Sequence, residues 1–230
     1  MDWREGAKKR AALEAVKHVQ EGFIIGLGSG TTVAHAVQEI GEKVRLEGLR
    51  VLGIPTSHQI LKLAVNCGIP LTTLDEHPQL DLTIDGADQV DGKLNLIKGM
   101  GGALMREKIV ASATKQLVIV VDETKLVEKL GVNQPVPVEV LPFASSIVMT
   151  KIRELKGKPV LREGKNKVGP VMTDNGNFIL DVNFEAVDDP GELDVKLRLI
   201  PGVLETGLFV GMTDVVYAGG RTGVQKLLRE

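Results

Sequence analysis

Apolar and polar residues along the first half of the chain predict helices and strands in turn. Short apolar runs that end in glycine or polar residues predict buried strands, and apolar residues at helical spacing predict amphipathic helices. An opening helix is predicted at 3–19, where Ala12, Ala15, Val16 and Val19 fall at helical spacing. The elements that follow are predicted as strand 23–28, helix 31–44, strand 50–57, helix 58–67, strand 80–88, helix 102–115 and strand 116–123. This alternation is typical of a parallel sheet with helices on both faces and right-handed crossovers.

The pattern changes near residue 131. Strands are predicted at 136–143, 158–162, 168–173, 177–183 and 206–210, with helices at 143–156 and 191–200. The TDNG segment at 173–176 predicts a hairpin turn, and strands joined by a tight turn are antiparallel. We interpret 131–206 as a small α+β domain that is inserted into a first domain formed by 1–130 and 207–230. The last segment, 214–230, is predicted to add a strand and then a helix to the first domain.

Composition and charge narrow the class of protein. The chain has 230 residues, of which 43% are apolar and 25% charged, so it can bury a core. A formal net charge of −2 argues against a dedicated nucleic-acid binder, and no apolar run reaches membrane-spanning length. The single cysteine, Cys67, cannot form an internal disulfide. We expect a cytoplasmic globular protein with no nucleic-acid or membrane partner.

A glycine loop, GLGSGTT at 26–32, lies between the first predicted strand and its helix. Backbone N–H groups and the positive end of a helix dipole can hold an anion there, and the hydroxyls of Ser29, Thr31 and Thr32 can assist. The dinucleotide fingerprint requires Gly or Ala where Thr31 stands, and the Walker loop requires a lysine that is absent. A small phosphate therefore fits better than a nucleotide, although a tight βα turn without a ligand is an equal alternative.

Acidic residues follow the third predicted strand, in the DGAD segment. Asp85 falls at the carboxyl end of the strand and Asp88 one turn later, a pattern that suits acid/base chemistry near lysines. The spacing does not match an EF-hand, and the four histidines do not stand at metal-ligand spacing, so no metal site is predicted. A surface turn rich in aspartate is the alternative.

The segment KGMGGALMREK at 98–108 favours a site over a surface turn. Its glycines permit close approach of the backbone to a ligand, and Glu107 falls about one turn inside the next helix. A carboxylate that faces a covered cleft has a raised pKa, as a general base requires. Lys98 and Lys125, after separate strands, could neutralise a phosphate and a developing oxyanion. A surface pair of Glu107 with Lys108 is the alternative.

In their order along the chain, these blocks resemble the type A family of ribose-5-phosphate isomerases. The resemblance is carried by GLGSGTT, TSHQ, DGADQVD, KGMGGALMREK, VDETKLVEKLG, PVPVEVLPFA and TDNGNFILD, and covers nearly the whole chain. It implies a Rossmann-like α/β domain with a small ferredoxin-like α+β domain. It also implies interconversion of D-ribose 5-phosphate and D-ribulose 5-phosphate in the pentose phosphate pathway, without metal or organic cofactor, by a homodimer or homotetramer.

The resemblance also implies roles for individual residues. Glu107 matches the base that transfers a proton by way of a cis-enediolate. Asp85 and Asp88 match the acidic pair, and Lys98 matches the lysine that stabilises the oxyanion. One of the two aspartates, not specified, would assist ring opening. The residues that match the family's substrate-binding positions are Ser29, Gly30, Thr31, Thr32, Asp85, Gly86, Ala87, Asp88, Lys98, Gly99, Met100, Gly101 and Lys125. Met100 and Ser29 depart from the glycine and threonine that are common at their positions.

Three other functions are alternatives to the isomerase. An amino-sugar-phosphate deaminase could share the scaffold, and a non-catalytic sugar-phosphate sensor could share the binding loops. A sensor of the repressor type carries a DNA-binding segment and does not need Glu107. A nicotinamide-dependent dehydrogenase is disfavoured because the dinucleotide fingerprint is absent.

Overall fold

The computed structural model describes residues 2–229. Its α-helices are, in chain order, α1 (Trp3–Val16), α2 (Thr31–Glu47), α3 (His58–Asn66), α4 (Leu104–Ser112), α5 (Ser145–Glu154) and α6 (Pro190–Arg198). Its β-strands are β1 (Ile24–Leu27), β2 (Leu52–Pro55), β3 (Leu82–Asp85), β4 (Gln89–Val90), β5 (Leu96–Ile97), β6 (Leu117–Asp122), β7 (Val136–Val140), β8 (Lys158–Leu161), β9 (Phe178–Asn183), β10 (Val203–Thr206), β11 (Leu208–Phe209), β12 (Val215–Gly219) and β13 (Val224–Leu228).

The chain folds into two compact units. The first contains the chain up to Ala87, the segment Arg106–Leu126 and the chain from Met212 onward. The second contains Asp88–Met105 and Val127–Gly211. The sequence pattern assigns 1–130 and 207–230 to the first domain, whereas 88–105, 127–130 and 207–211 lie in the second compact unit.

The first unit is built on a sheet with the strand order β13-β12-β6-β3-β1-β2. Strand β1 pairs in parallel with β2 on one side and with β3 on the other, and β3, β6 and β12 continue in parallel. After β2 on one side of β1, the next strand in the chain, β3, lies on the other side of β1, so the order of strands changes direction there. In open α/β sheets the carboxyl ends of the strands at such a switch point are the usual place for a ligand.

Helix α1 packs closely on this sheet because the contacting residues are small. Ala7, Ala11 and Ala15 are completely buried, and they recur every four residues, so they lie on one face of the helix. A side chain at Gly219 of β12 would overlap the backbone of Ala7. Helix α2 buries Val33, Val37 and Ile40 in the same core, as the predicted apolar face required.

Within the second unit, residues 136–206 have the element order β7-α5-β8-β9-α6-β10. Its antiparallel sheet runs β10-β7-β9-β8, the arrangement of a ferredoxin-like fold. One face of the sheet presents Val136, Val138 and Val140 to a core that also contains Val148 and Leu197 from the two helices. A smaller sheet, β11-β5-β4, lies in the same unit. The predicted α/β class, with a Rossmann-like sheet and a ferredoxin-like insertion, is confirmed.

Two predicted elements are wrong. The segment 221–230 was predicted as a helix, but Val224–Leu228 forms strand β13, which pairs antiparallel with β12. A turn reverses the chain beside β12, closed by a 2.8 Å hydrogen bond from the Gly220 N–H to the Gly223 carbonyl. Backbone hydrogen bonds between β13 and β12 then outweigh the helix propensity of QKLL. The segment 168–173 was predicted as a strand, but it makes only isolated bridges at Pro170 and Met172.

Within residues 2–229, none of the helices combines the length and the apolar character that crossing a bilayer requires.

Candidate active site

Asp85 ends strand β3 in the first unit and is almost completely buried, with 1% of its surface exposed. Its Oδ1 accepts hydrogen bonds from the backbone N–H of Ser29, at 3.2 Å, and of Gly86, at 2.7 Å. The Ser29 contact joins the loop after β1 to the end of β3, as expected for adjacent parallel strands. These two donors set the orientation of the Asp85 carboxyl group.

The hydroxyl of Ser29 is held by the loop that follows β2. Its Oγ lies 2.8 Å from Oγ1 of Thr56 and donates to Oγ of Ser57 at 2.7 Å. Ser57 also caps α3, since its Oγ accepts from the Ile60 N–H. The sequence analysis quoted TSHQ as a block of the resemblance but gave Thr56 and Ser57 no role. Their contribution is to hold Ser29, and they can do so because β1 and β2 are neighbours.

The first glycine loop leads directly into α2. Gly30 occupies the N-cap with φ 115°, a backbone angle that favours glycine, and no side chain of the described chain caps the helix there. Thr31 and Thr32 follow this N-cap and form the first turn of α2. Backbone N–H groups at the start of this helix are thus available to an anion, and a side-chain cap would have competed for them.

Lys125 follows β6, which is the strand next to β3. It ends a single 3-10 turn, Glu123–Lys125, that Asp122 caps by accepting from the Thr124 N–H at 3.1 Å. Lys125 is half-buried. Loops after β1, β3 and β6 therefore carry predicted site residues at one edge of the first unit's sheet.

Glu107 lies in the first turn of α4 and is buried, with 5% of its surface exposed. The helix begins at Leu104, two residues later than predicted, which places Glu107 at the end of its first turn. A carboxylate in a first turn is favoured by the helix dipole. Glu107 is therefore a buried side chain and not an exposed surface carboxylate.

The second unit carries the remaining predicted residues. Asp88 is half-buried, and its Oδ2 accepts from the backbone N–H of Met100 at 3.0 Å, so the acidic segment and the second glycine loop (98–102) are joined. Lys98 is 3% exposed, and its Nζ lies 5.5 Å from the centre of the Phe209 ring. The Lys98 N–H donates to the Gly207 carbonyl at 2.8 Å. This close approach requires glycine at residue 207, because a side chain there would overlap the Lys98 carbonyl.

The loop residues differ in exposure. Gly99 is buried with φ 102°, Met100 is exposed, and Gly101 is exposed. Gly86 and Ala87 of the DGAD segment are half-buried. The structure thus brings Ser29, Asp85 and Gly86 together in the first unit, and Asp88 and Met100 together in the second.

Across residues 2–229, no cluster of three or more His, Cys, Asp or Glu side chains is arranged to hold a metal ion. The strand–turn–helix at β1 and α2 retains Thr31 at the position where a dinucleotide fingerprint requires Gly or Ala.

Comparisons with known proteins agree with this architecture. The family model of ribose 5-phosphate isomerase A (phosphoriboisomerase A) matches residues 52–223. Ribose-5-phosphate isomerase A of Methanosarcina acetivorans is 50% identical over 221 residues, which cover 96% of this chain and 93% of the relative.

Solved structures show the same relationship. Ribose 5-phosphate isomerase A from Methanocaldococcus jannaschii superposes with a TM-score of 0.94 at 46% identity, covering 97% of this chain and 99% of the other. A D-ribose-5-phosphate isomerase solved in complex with phospho-erythronic acid gives a TM-score of 0.96 at 44% identity, covering 98% and 99%. The fold and these relatives define the protein as an isomerase. The chain belongs to the ribose 5-phosphate isomerase A family.

Proposed function

We propose that the protein interconverts D-ribose 5-phosphate and D-ribulose 5-phosphate in the pentose phosphate pathway, by proton transfer through a cis-enediolate. The observation that carries the proposal is the burial of three ionisable side chains at motif positions of this family: Asp85, Lys98 and Glu107 are 1%, 3% and 5% exposed. Ionisable side chains are rarely buried to this extent unless they are paired or functional, and family membership favours function here.

Glu107 is the proposed base. Its carboxylate removes the proton from C2 of the open-chain aldose, and the electron pair of the C2–H bond forms the C1–C2 double bond while O1 becomes negatively charged. Return of that proton to C1, with transfer of the O2 proton to O1, yields the ketose. Glu107 lies in the first turn of α4 and is shielded from bulk water, so its carboxylate can be held close to the substrate carbon from which it removes the proton.

Lys98 is proposed to stabilise the charge on the enediolate oxygen. An ammonium group beside a buried aromatic ring, away from bulk water, interacts more strongly with a developing negative charge than a solvated one does. Asp85 and Asp88 are proposed to move the proton that opens the furanose ring. Asp88 is the more exposed of the two, and the carboxylate of Asp85 is oriented by two backbone donors.

The glycine loops and Lys125 are proposed to bind the substrate. Residues Ser29 to Thr32 offer hydroxyls and the uncapped start of α2, and residues 98–101 offer backbone groups without bulky side chains at Gly99 and Gly101. Binding energy from the phosphate, remote from C1 and C2, can then hold the sugar in the reactive geometry. The relative that binds phospho-erythronic acid supports an anionic, phosphorylated ligand for this family.

The test follows ribose 5-phosphate in D₂O by NMR, with chelator present and no cofactor added, for wild type, Glu107→Gln and the exposed control Glu128→Gln. Ribulose 5-phosphate should form in wild type and in the control, with deuterium at C1 in the fraction of turnovers in which the proton on Glu107 exchanges with D₂O before it is returned. Glu107→Gln should be slower by several orders of magnitude. Turnover that persists in Glu107→Gln would assign the base to another residue. Saturable binding without turnover in wild type would make the protein a sensor and overturn the isomerase.

A further inference from the structure

Arg162, which follows strand β8, contacts the backbone of the second glycine loop. Its Nη1 donates to the carbonyl of Gly99 at 2.9 Å and to the carbonyl of Met100 at 3.1 Å. Its Nη2 lies 3.8 Å from Sδ of Met100. The side chain is only 13% exposed, so these donors have little competition from water.

Asp181 fixes the orientation of this guanidinium. It lies on β9, where its Oδ2 accepts from Nε of Arg162 at 2.8 Å and its Oδ1 accepts from Nη2. The pair is bidentate, with Asp181 21% exposed. A bidentate carboxylate leaves the guanidinium little rotational freedom, so its remaining donors point at the loop.

One peptide group of the loop is held from two sides. The carbonyl of Gly99 accepts from Arg162, and the N–H of the same peptide, which belongs to Met100, donates to Asp88. The described peptide bonds are all trans, so the carbonyl and the N–H of one peptide point in opposite directions. Arg162 and Asp88 therefore lie on opposite sides of this peptide group.

Arg162 orients the next peptide group in the same way. Because Arg162 also holds the Met100 carbonyl, the N–H of Gly101 points away from Arg162. The positive φ of Gly99, 102°, and of Gly102, 80°, lets the loop adopt this path between its neighbours. Arg162 thus determines the direction in which the loop presents its N–H groups.

We propose that Arg162 is a positioning residue for the isomerase reaction, acting through the peptide groups of Gly99 and Met100 on the loop and on Asp88. The inference rests on the proposed function, in which this loop and Asp88 bind and act on the sugar phosphate. Arg162 orients these peptide groups, and its partner Asp181 keeps the guanidinium of Arg162 in place. A lysine would keep the charge but could not reach Asp181 and two carbonyls at once, because it offers a single nitrogen.

The experiment compares wild type with Arg162→Lys and Asp181→Asn. For each protein we would measure kcat and KM for ribose 5-phosphate, the dissociation constant of phospho-erythronic acid, and the melting temperature without ligand. Displacement of a positioned group by about 1 Å costs on the order of 100-fold in rate, so we expect kcat/KM to fall about 10- to 100-fold in Arg162→Lys. Binding of phospho-erythronic acid should weaken about tenfold, with a smaller loss in Asp181→Asn.

The matched control is Arg198→Lys. Arg198 also pairs with an aspartate of the second unit, since its Nε donates to Asp194 at 3.0 Å, but it lies on α6 and half of its side chain is exposed. This variant should keep the wild-type kinetic constants. A double mutant then tests the shared peptide: the effects of Arg162→Lys and Asp88→Asn on phospho-erythronic acid binding should be less than additive.

The outcomes separate the inference from the proposed function. A folded Arg162→Lys enzyme with wild-type kcat, KM and affinity, even if its melting temperature is lower, would overturn the inference and assign Arg162 a structural role only. Additive losses in the double mutant would overturn the coupling through the peptide group. Absence of isomerisation by wild type would overturn the proposed function, while weaker binding of phospho-erythronic acid by Arg162→Lys would still support the positioning role.

Discussion

Gly28 lies directly beneath the carboxyl group of Asp85, and a side chain at residue 28 would overlap Cγ and Oδ1 of that aspartate. The Gly28 N–H donates to the Ile84 carbonyl at 2.9 Å, which brings the end of β1 against the end of β3. The middle glycine of GLGSG is thus required for space: it leaves the volume that the Asp85 carboxylate occupies.

Gly28→Ala should therefore displace Asp85. We expect kcat/KM to fall about 100-fold, because a proposed catalytic carboxylate moves, and the free energy of unfolding to fall by about 1 to 3 kcal/mol from overpacking. Kinetics and urea unfolding of the same preparation check both effects. Gly92→Ala is the control, since a side chain there would meet nothing within 4 Å. Equal activity in the two variants would contradict this role for Gly28.

Asp81 links β1 to the segment before β3 and should make stability depend on pH. A hydrogen bond from Lys115, at 2.8 Å, and another from the Ile24 N–H, at 2.9 Å, lower the pKa of Asp81 below its usual 3.8. A lowered pKa means that the stabilisation is present above the unfolded-state value and is lost as pH falls through the folded-state value.

Asp81→Asn should consequently reduce the free energy of unfolding by about 1 kcal/mol near neutral pH, and the difference from wild type should shrink below about pH 4. Urea unfolding of both proteins over a pH series measures this difference in the free energy of unfolding. The exposed Asp75→Asn should show no such difference. A difference that stays constant into acid would mean that the carboxylate charge of Asp81 does not matter.

Glu139 holds the turn of the TDNG segment. It is completely buried on β7, and its Oε1 accepts from Thr173 Oγ1 at 2.9 Å, Asn175 Nδ2 at 3.1 Å and Asn177 Nδ2 at 2.8 Å. Glu139→Ala would leave the buried donors of Thr173 and Asn177 without their acceptor, so we expect a loss of about 3 kcal/mol in the free energy of unfolding, against almost none for the exposed Glu128→Ala. Calorimetric melting of both variants provides the comparison, and similar melting temperatures would refute the assignment.

Cys67 should react slowly with thiol reagents in the native protein. Partial burial against α2 raises the pKa of its thiol above the usual 9.0, and Glu42 adds to the effect while Arg45 opposes it. A raised pKa leaves less thiolate at any given pH, and the thiolate is the reactive form. Reaction with a disulfide reagent at mildly alkaline pH should be several-fold slower in buffer than in denaturant. Equal rates would show that Cys67 behaves as a free, solvated thiol.

Much of the architecture was predictable from the sequence because its signals are local. The periods of apolar residues predicted α2, α3 and the parallel strands β1, β2, β3 and β6, and the glycines and charged residues marked the loops at their carboxyl ends. A strand end or a helix start is encoded within a few residues. For the same reason the resemblance could be recognised from short blocks, each of which remains intact in the fold.

The features that only the tertiary structure determined depend on which segments of the chain pair with each other. QKLL at 225–228 has helix propensity, yet β12 offers an unpaired edge and the turn at 220–223 brings the chain to it, so a strand forms. Arg162 gives no signal in the sequence, because it is separated from the second glycine loop by about 60 residues. Pairing of β8 with β9 sets Arg162 beside Asp181, and folding of the second unit brings both to the loop. Local sequence thus determined the elements and their chemistry, whereas long-range pairing determined how those groups are held.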